Sequence, residues 1–184
     1  MAMPRSAPTG QPPSERIGER IGERIDERNG KPMSQASRAA PAALAAAPTA
    51  AQLHALFAAA RAVRKQAYAP YSKFLVGAAV LDAEGRVHAG CNVEVAAYPQ
   101  GWCAEASALA AMVAAGGRAV SAVAVAAVSR QPTTPCGGCR QKLAEFAAPG
   151  CVVHVLGPVR QRAQYRLDEL LPHGFGPAHL RQKA

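Results

Sequence analysis

From residue 49 onward the chain switches between two hydrophobic rhythms. Leu53, Leu56, Phe57, Ala60 and Val63 recur at three- and four-residue intervals, the spacing of a helix with one buried face. Thr49 stands where an N-cap belongs, so the pattern predicts a helix from about Ala51 to Gln66. The stretch "YAPYSKF" breaks that rhythm and reads as a turn-rich connection. "LVGAAVLD", "AEG" and "RVHAGCNVE" then read as a strand, a turn and its hairpin partner. Helical spacing returns from Trp102 to Ala115, closed by Gly116 and Gly117. "AVSAVAVAAV", residues 119–128, is apolar without alternation, as expected of a strand buried on both faces. A further helix is predicted over Cys136–Phe146, with Pro135 just ahead of it, and a buried strand over residues 151–156. A short strand near Gln164–Leu167 and a helical turn at Asp168–Leu171 complete the pattern. The order helix, hairpin, helix, strand, helix, strand predicts an α/β fold, a mixed sheet sandwiched between helices.

Residues 1–48 follow neither rhythm. They are rich in Pro, Ala, Ser and Gly, and residues 15–30 repeat as "ERIG", "ERIG", "ERID", "ERNG". A period of four keeps Ile17, Ile21 and Ile25 on one slowly drifting face, which is one way to build a short partner helix. Gly18 and Gly22 each weaken such a helix by about 1 kcal/mol. A low-complexity, charge-balanced tail is therefore the better reading. The expected division is a disordered tail over 1–48 and one domain over 49–184. Met33 is a second candidate start, which would make the tail optional.

Composition changes this picture little. With 49% apolar residues in 184, one domain can fill a core. No run approaches the roughly 18 apolar residues of a membrane span. The net charge of +9 admits a nucleic-acid partner, but Arg160, Arg162 and Arg166 form the only modest cluster. A basic surface kept for solubility is the stronger reading. The opening "MAMPRSAPTGQPPSER" lacks a continuous apolar segment of the secretory kind. The five cysteines are then expected to be reduced thiols of a cytoplasmic protein.

Those thiols carry the candidate chemistry. In "PCGGCRQ", Cys136 and Cys139 sit three apart at a helix start, on one face. A helix N-terminus also favours the thiolate, the form that ligates metals. Alone, the pair is equally a redox motif. Cys103, at another predicted helix start, adds a third thiol and makes a zinc site with one open position, the catalytic arrangement. Histidines offer nothing better: His54 and His88 are expected on the surface, and His154 alternates within a strand. Cys91 and Cys151 are weaker candidates for a fourth ligand, because small buried thiols are common. Glu105 lies two residues after Cys103. At a helix mouth both can curl over the end, so the carboxylate can stand beside the ion without binding it. There it can move protons to and from a water whose pKa zinc lowers from 15.7 to roughly 7. Without three thiols nearby, Glu105 would read as a first-turn acid complementing the helix dipole.

"CAE" followed by "PCGGC" matches the general pattern of zinc deaminases, with Cys in the first ligand position. From about Ala67 to Leu180 the chain resembles the small homotetrameric cytidine deaminases. The resemblance rests on "YAPYSKFLVGAAV", "GCNVE", "YPQGWCAE", "PCGGCRQ" and "LLPHGFGP", in that order. It implies a three-layer α/β/α fold with a five-stranded mixed sheet. It implies one zinc per subunit on Cys103, Cys136 and Cys139, and Glu105 as proton shuttle. It further implies that Asn92 and Glu94 hydrogen-bond the ribose and that Phe74 lines the base pocket. Tyr98 and Phe175 resemble residues used at subunit boundaries near the active sites. The implied reaction is hydrolytic deamination of cytidine and deoxycytidine in pyrimidine salvage, with a small nucleoside rather than a nucleic acid as partner. Independently of the family, a buried carboxylate accepting from a sugar hydroxyl rejects ligands that lack it.

The chain departs from the family pattern at Ala106, where many members carry arginine, and at Val95 and Leu75, which replace a common asparagine and proline. Three thiolates around one divalent ion leave a net charge of −1, which weakens the ion as a Lewis acid. Arg140, or backbone amides, are the expected donors to the sulfurs in place of the arginine. Two rival readings remain. A deaminase of another aminopyrimidine nucleoside such as blasticidin S fits the zinc motifs but leaves "NVE" without a ribose. A zinc-stabilised nucleic-acid-binding module gives Glu105 no purpose. Deamination of polynucleotides would call for a stacking surface, and aromatic residues total only 5%.

Overall fold

The computed structural model describes residues 47–180. The "ERIG" tetrads lie outside the described residues. Helix α1 spans Ala50–Arg64. Thr49 caps it with a reciprocal pair: its side chain accepts from the Gln52 backbone N–H at 3.2 Å, and Gln52 accepts from the Thr49 N–H at 2.9 Å. Strand β1 (Val76–Asp82) and strand β2 (Val87–Cys91) form the hairpin. Helix α2 (Ala104–Ala114), strand β3 (Val120–Ala127), helix α3 (Gly137–Phe146) and strand β4 (Ala147–Leu156) follow. Strand β5 (Gln161–Arg166) and two single-turn helices, α4 (Leu167–Leu170) and α5 (Pro177–Leu180), end the described chain. Among the described residues no helix is long and apolar enough to cross a membrane.

The strands form one sheet in the order β2-β1-β3-β4-β5. Only β3 and β4 run parallel, joined through α3, and the other neighbours are antiparallel. This is the mixed five-stranded sheet that the resemblance implied. Strand alternation divides two cores. Ala78, Val80, Val123, Val125 and Val153 face α2 and α3, against Ala108, Leu109, Met112 and Leu143. Ala79, Leu81, Ala122, Ala124 and Ala126 face α1, against Leu56 and Ala60. The second face is mostly alanine, which lets α1 lie close to the sheet. Gly77 marks the closest approach: a Cβ there would stand 2.3 Å from the Ala60 carbonyl oxygen.

Several boundaries differ from the pattern-based ones. Helix α2 starts at Ala104 rather than Trp102, because Cys103 is its extended N-cap (φ −75°, ψ 152°). Helix α3 likewise starts after Cys136, also extended (φ −65°, ψ 164°). Strand β4 begins at Ala147, directly after α3, and crosses an irregularity between its pairings to Val120 and Ala122 before regular pairing from Val152. Strand β5 starts at Gln161, and Leu167 already belongs to α4. The predicted end of α2 is as built: Gly116 (φ +88°) follows the cap, and the Gly117 N–H donates to the Met112 carbonyl at 2.9 Å.

His88 is not a surface residue. Its side chain is 10% exposed, and Nε2 lies 2.8 Å from Oδ2 of Asp82. Asp82 is itself 1% exposed and also accepts from Arg86 Nε at 2.8 Å and the Arg86 N–H at 2.8 Å. Burial opposes its ionisation. The hydrogen bonds from His88 and Arg86 outweigh that and hold its carboxyl below the ordinary value. Arg86 also donates to the Ala115 carbonyl at 3.2 Å, so the hairpin turn is fastened to the end of α2.

Candidate active site

The two extended cap residues bring the site together. Each leaves its sulfur outside the first turn of a helix, and neither side chain makes a capping bond among the described residues. The Cys103 and Cys136 sulfurs lie 3.8 Å apart. Cys139, in the first turn of α3, completes a group whose ligand atoms all lie within 4.8 Å of one another. Bonds of ~2.3 Å at tetrahedral angles place zinc-bound sulfurs about 3.8 Å apart, so this donor set fits zinc. Three sulfurs leave a fourth position for a water or substrate. Cys91 and Cys151 are not members of the group among the described residues. Cys151 sits in the core, where burial pushes its thiol up to about 12.

Glu105, the second residue of α2, is 5% exposed. Burial raises its carboxyl above the ordinary range, partly offset by its own backbone N–H and by the Cys139 thiol. A carboxyl made more basic than usual and held against the Cys139 thiol is suited to accepting and returning a proton.

Burial opposes ionisation of Cys136, but the Cys139 N–H and the Cys139 and Cys103 side chains outweigh it and lower its pKa. Cys103 and Cys139 are pushed upward, chiefly by burial. Of the backbone amides, the Cys139 N–H serves the Cys136 sulfur. Arg140 does not. Its three nitrogens donate to the Pro135 carbonyl at 2.7 Å, the Leu170 carbonyl at 2.9 Å and Thr134 Oγ1 at 3.0 Å. Ala106 is buried and supplies no side-chain donor.

A second group of residues reaches the site through a two-residue bridge. Val93 and Trp102 exchange backbone hydrogen bonds at 2.9 and 2.8 Å, which sets the Asn92–Glu94 segment beside Cys103. Ser107 on α2 adds a bond to the Cys91 carbonyl at 2.9 Å. Helix and strand come this close because residue 90 is glycine: a Cβ there would stand 2.4 Å from the Ala108 nitrogen.

Glu94 lines a cavity of about 380 Å³ with Tyr71, Ser72, Val95, Tyr98 and Gly101. Its carboxylate accepts from the Tyr71 and Ser72 N–H groups at 3.0 and 3.1 Å and from the Ser72 hydroxyl. The Ser72 hydroxyl is the main cause of its lowered pKa. Tyr71 and Ser72 were not expected in this role. The only sequence signal for them was their place in "YAPYSKF". Asn92 spends both ends of its amide on backbone, accepting from the Val76 N–H at 2.8 Å and donating to the Phe74 carbonyl at 3.0 Å. Asn92 thus braces the Phe74–Val76 segment, with a second amide hydrogen left over. The Phe74 side chain is exposed and is not part of the cavity around Glu94. Phe175 lines a different cavity, of about 350 Å³, at the α3–β4 junction.

Three thiols at metal-ligand spacing beside a buried carboxylate form a candidate metal site. Residues 50–155 match the family model described as the cytidine and deoxycytidylate deaminase zinc-binding region. The chain belongs to the cytidine and deoxycytidylate deaminase family. A cytidine deaminase from Sporosarcina psychrophila is 40% identical over 125 residues, which are 68% of this chain and 92% of that protein. One from Mycobacterium tuberculosis is 44% identical over 110 residues, 60% of this chain and 79% of that protein. Among solved structures, cytidine deaminase from Burkholderia pseudomallei superposes with a TM-score of 0.62 at 43% identity, covering 66% of this chain and 98% of that one.

Proposed function

We propose that this chain is a zinc-dependent deaminase that hydrolyses cytidine and deoxycytidine to uridine and deoxyuridine with release of ammonia. The observation that carries the reading is the 3.8 Å spacing of the Cys103 and Cys136 sulfurs, with Glu105 buried beside them. Its relatives in Sporosarcina psychrophila and Mycobacterium tuberculosis bear the name of that activity.

Cys103, Cys136 and Cys139 would hold one zinc ion per subunit. Bound there, zinc would acidify a water and polarise the reacting carbon as a Lewis acid. The remaining work belongs to the chain. Glu105 takes a proton from the attacking water onto a carboxylate oxygen. It returns that proton to the departing 4-amino group, which leaves as ammonia because the amide anion is too poor a leaving group, and the second water proton passes from the new C4 hydroxyl to N3, giving the keto, N3–H form of uridine. One C–O bond forms and one C–N bond breaks at C4, and water supplies all the atoms gained. Glu94 offers its remaining lone pairs to a sugar hydroxyl, held in place by Tyr71 and Ser72. The spare Asn92 amide hydrogen is a donor that a sugar bound beside Glu94 would call on.

The reading extends to a homotetramer acting in pyrimidine salvage in the cytoplasm. Support for assembly comes from the aromatic surface around the site. Tyr68, Tyr71, Phe74, Tyr98 and Trp102 are all exposed, and Tyr71 and Tyr98 stack edge-on at 5.5 Å. Tyr98 is 72% exposed, as suits a residue completed by a neighbouring subunit. Phe74 and Phe175 would meet substrate or a neighbour in that assembly.

The zinc-loaded chain, given cytidine, deoxycytidine and blasticidin S separately, tests the substrate. The expected result is equal yields of uridine and ammonia from cytidine. Consumption of blasticidin S with cytidine untouched would contradict it.

A further inference from the structure

Arg140 follows a proposed metal ligand but turns away from the sulfurs. Its guanidinium grips three acceptors in three directions. Two belong to the segment that delivers Cys136: the Pro135 carbonyl at 2.7 Å and Thr134 Oγ1 at 3.0 Å. The third is the Leu170 carbonyl at 2.9 Å, at the end of α4. Carbonyls near the end of a short helix lack intrahelical partners, so this bond satisfies a group that the helix cannot. The next residue, Gln141, donates from Nε2 to the Phe175 carbonyl at 2.7 Å. Two adjacent side chains on α3 therefore hold both ends of the segment from Leu170 to Phe175.

We propose that Arg140 is a positioning residue that couples the placement of Cys136 to the docking of the C-terminal segment. The inference rests on the reading of Cys103, Cys136 and Cys139 as a zinc site. A planar guanidinium can serve acceptors lying in three directions within its plane, and a lysine ammonium on a single stem cannot reproduce that fork. When the segment is docked, Leu170 fixes the guanidinium. The guanidinium then fixes Pro135, and the Cys136 sulfur stays near enough to that of Cys103 for both to share one ion. Linkage makes the effect reciprocal: whatever docking contributes to zinc affinity, zinc contributes to docking. The same link ties the metal to the position of Phe175.

The experiment uses the full chain, with and without zinc. Chelator competition gives the zinc dissociation constant, and chymotrypsin cleavage after Phe175 reports docking, with cleavage after Phe57 in α1 as the internal reference. For the unsubstituted chain, zinc should slow cleavage at Phe175 about 10-fold relative to Phe57. For Arg140→Lys, the zinc dissociation constant should rise about 10- to 100-fold, the usual cost of losing an outer support of a metal site. Protection at Phe175 by saturating zinc should be lost in the same variant, while the urea midpoint of the zinc-free chain moves little. If Arg140→Lys does not fold, Thr134→Val removes one acceptor alone and should weaken zinc in the same direction by a smaller factor. An unsubstituted chain that binds no zinc overturns the metal reading and this inference together. Zinc binding that is equally tight in the variants, or cleavage at Phe175 indifferent to zinc, overturns this inference and leaves the metal reading standing.

Discussion

The sulfurs of Cys103 and Cys136 stand 3.8 Å apart although 33 residues separate them in the chain. Each residue is the N-cap of a different helix, α2 and α3, and both helices pack on the same face of the sheet. If they share one ion with Cys139, removing one sulfur should remove most of the metal. Cys136→Ala is expected to bind well under a tenth of the zinc held by the unsubstituted chain after dialysis, by atomic emission. Cys151→Ala, in the core, should keep its zinc. Full zinc in the Cys136 variant would place the metal elsewhere.

The closeness of β2 and α2 depends on an absent side chain. Gly90→Ala would press a methyl to 2.4 Å from the Ala108 nitrogen and 2.5 Å from Ser107 Cβ. Backbone cannot move aside cheaply, and overpacking of this kind costs about 1–3 kcal/mol. The expected result is a lowered urea midpoint together with a raised KM for cytidine, because the Asn92–Glu94 segment shifts against the metal helix. An unchanged midpoint and KM would show that the helix and strand are not held at this spacing.

Asp82 predicts a pH dependence of stability. Arg86 and His88 are the charged or titratable side chains facing its carboxylate, and the Glu84 and Arg86 N–H groups also bond it. Its folded pKa lies below the unfolded value, so its contribution is fully present above about pH 3.8 and is lost as pH falls through the depressed pKa. Asp82→Asn should cost about 2–3 kcal/mol at pH 7, by loss of charge-assisted bonds at a buried position. The cost should shrink as acid protonates Asp82 in the unsubstituted chain. Urea titrations at pH 7 and pH 3 check this. A difference that stays constant across that range would show that the charge of Asp82 does not matter.

Much of this was legible in the residues, for identifiable reasons. Helix α1 announced itself through Thr49 and the stripe of Leu53, Leu56, Phe57, Ala60 and Val63, because capping and burial are local; the reciprocal bond from Gln52 appears only in the structure. The grouping of Cys103, Cys136 and Cys139 was legible because three thiols at helix starts have few other uses in that number. The helix starts were misplaced by one or two residues because Cys103 and Cys136 cap without a side-chain bond and so carry no capping signal. His88 reads as a surface residue until Asp82 and Arg86 are folded around it. Arg140 was expected at the sulfurs because it adjoins Cys139. Its actual partners, Leu170 above all, are set by tertiary packing. The grip of Ser72 on Glu94 spans 22 residues and has no local signature.

Proton movement by Glu105 at a zinc site formed by three cysteines is what the proposed function rests on. The most direct test follows the fall in ultraviolet absorbance as cytidine becomes uridine, for the unsubstituted chain and for Glu105→Gln at equal, measured zinc content. Turnover by the unsubstituted chain and a loss of about 10³-fold in kcat for the variant are expected, within the usual contribution of a positioned acid–base group. Zinc-loaded protein that leaves cytidine unchanged, or a Glu105→Gln variant as fast as the unsubstituted chain, would contradict that proposal.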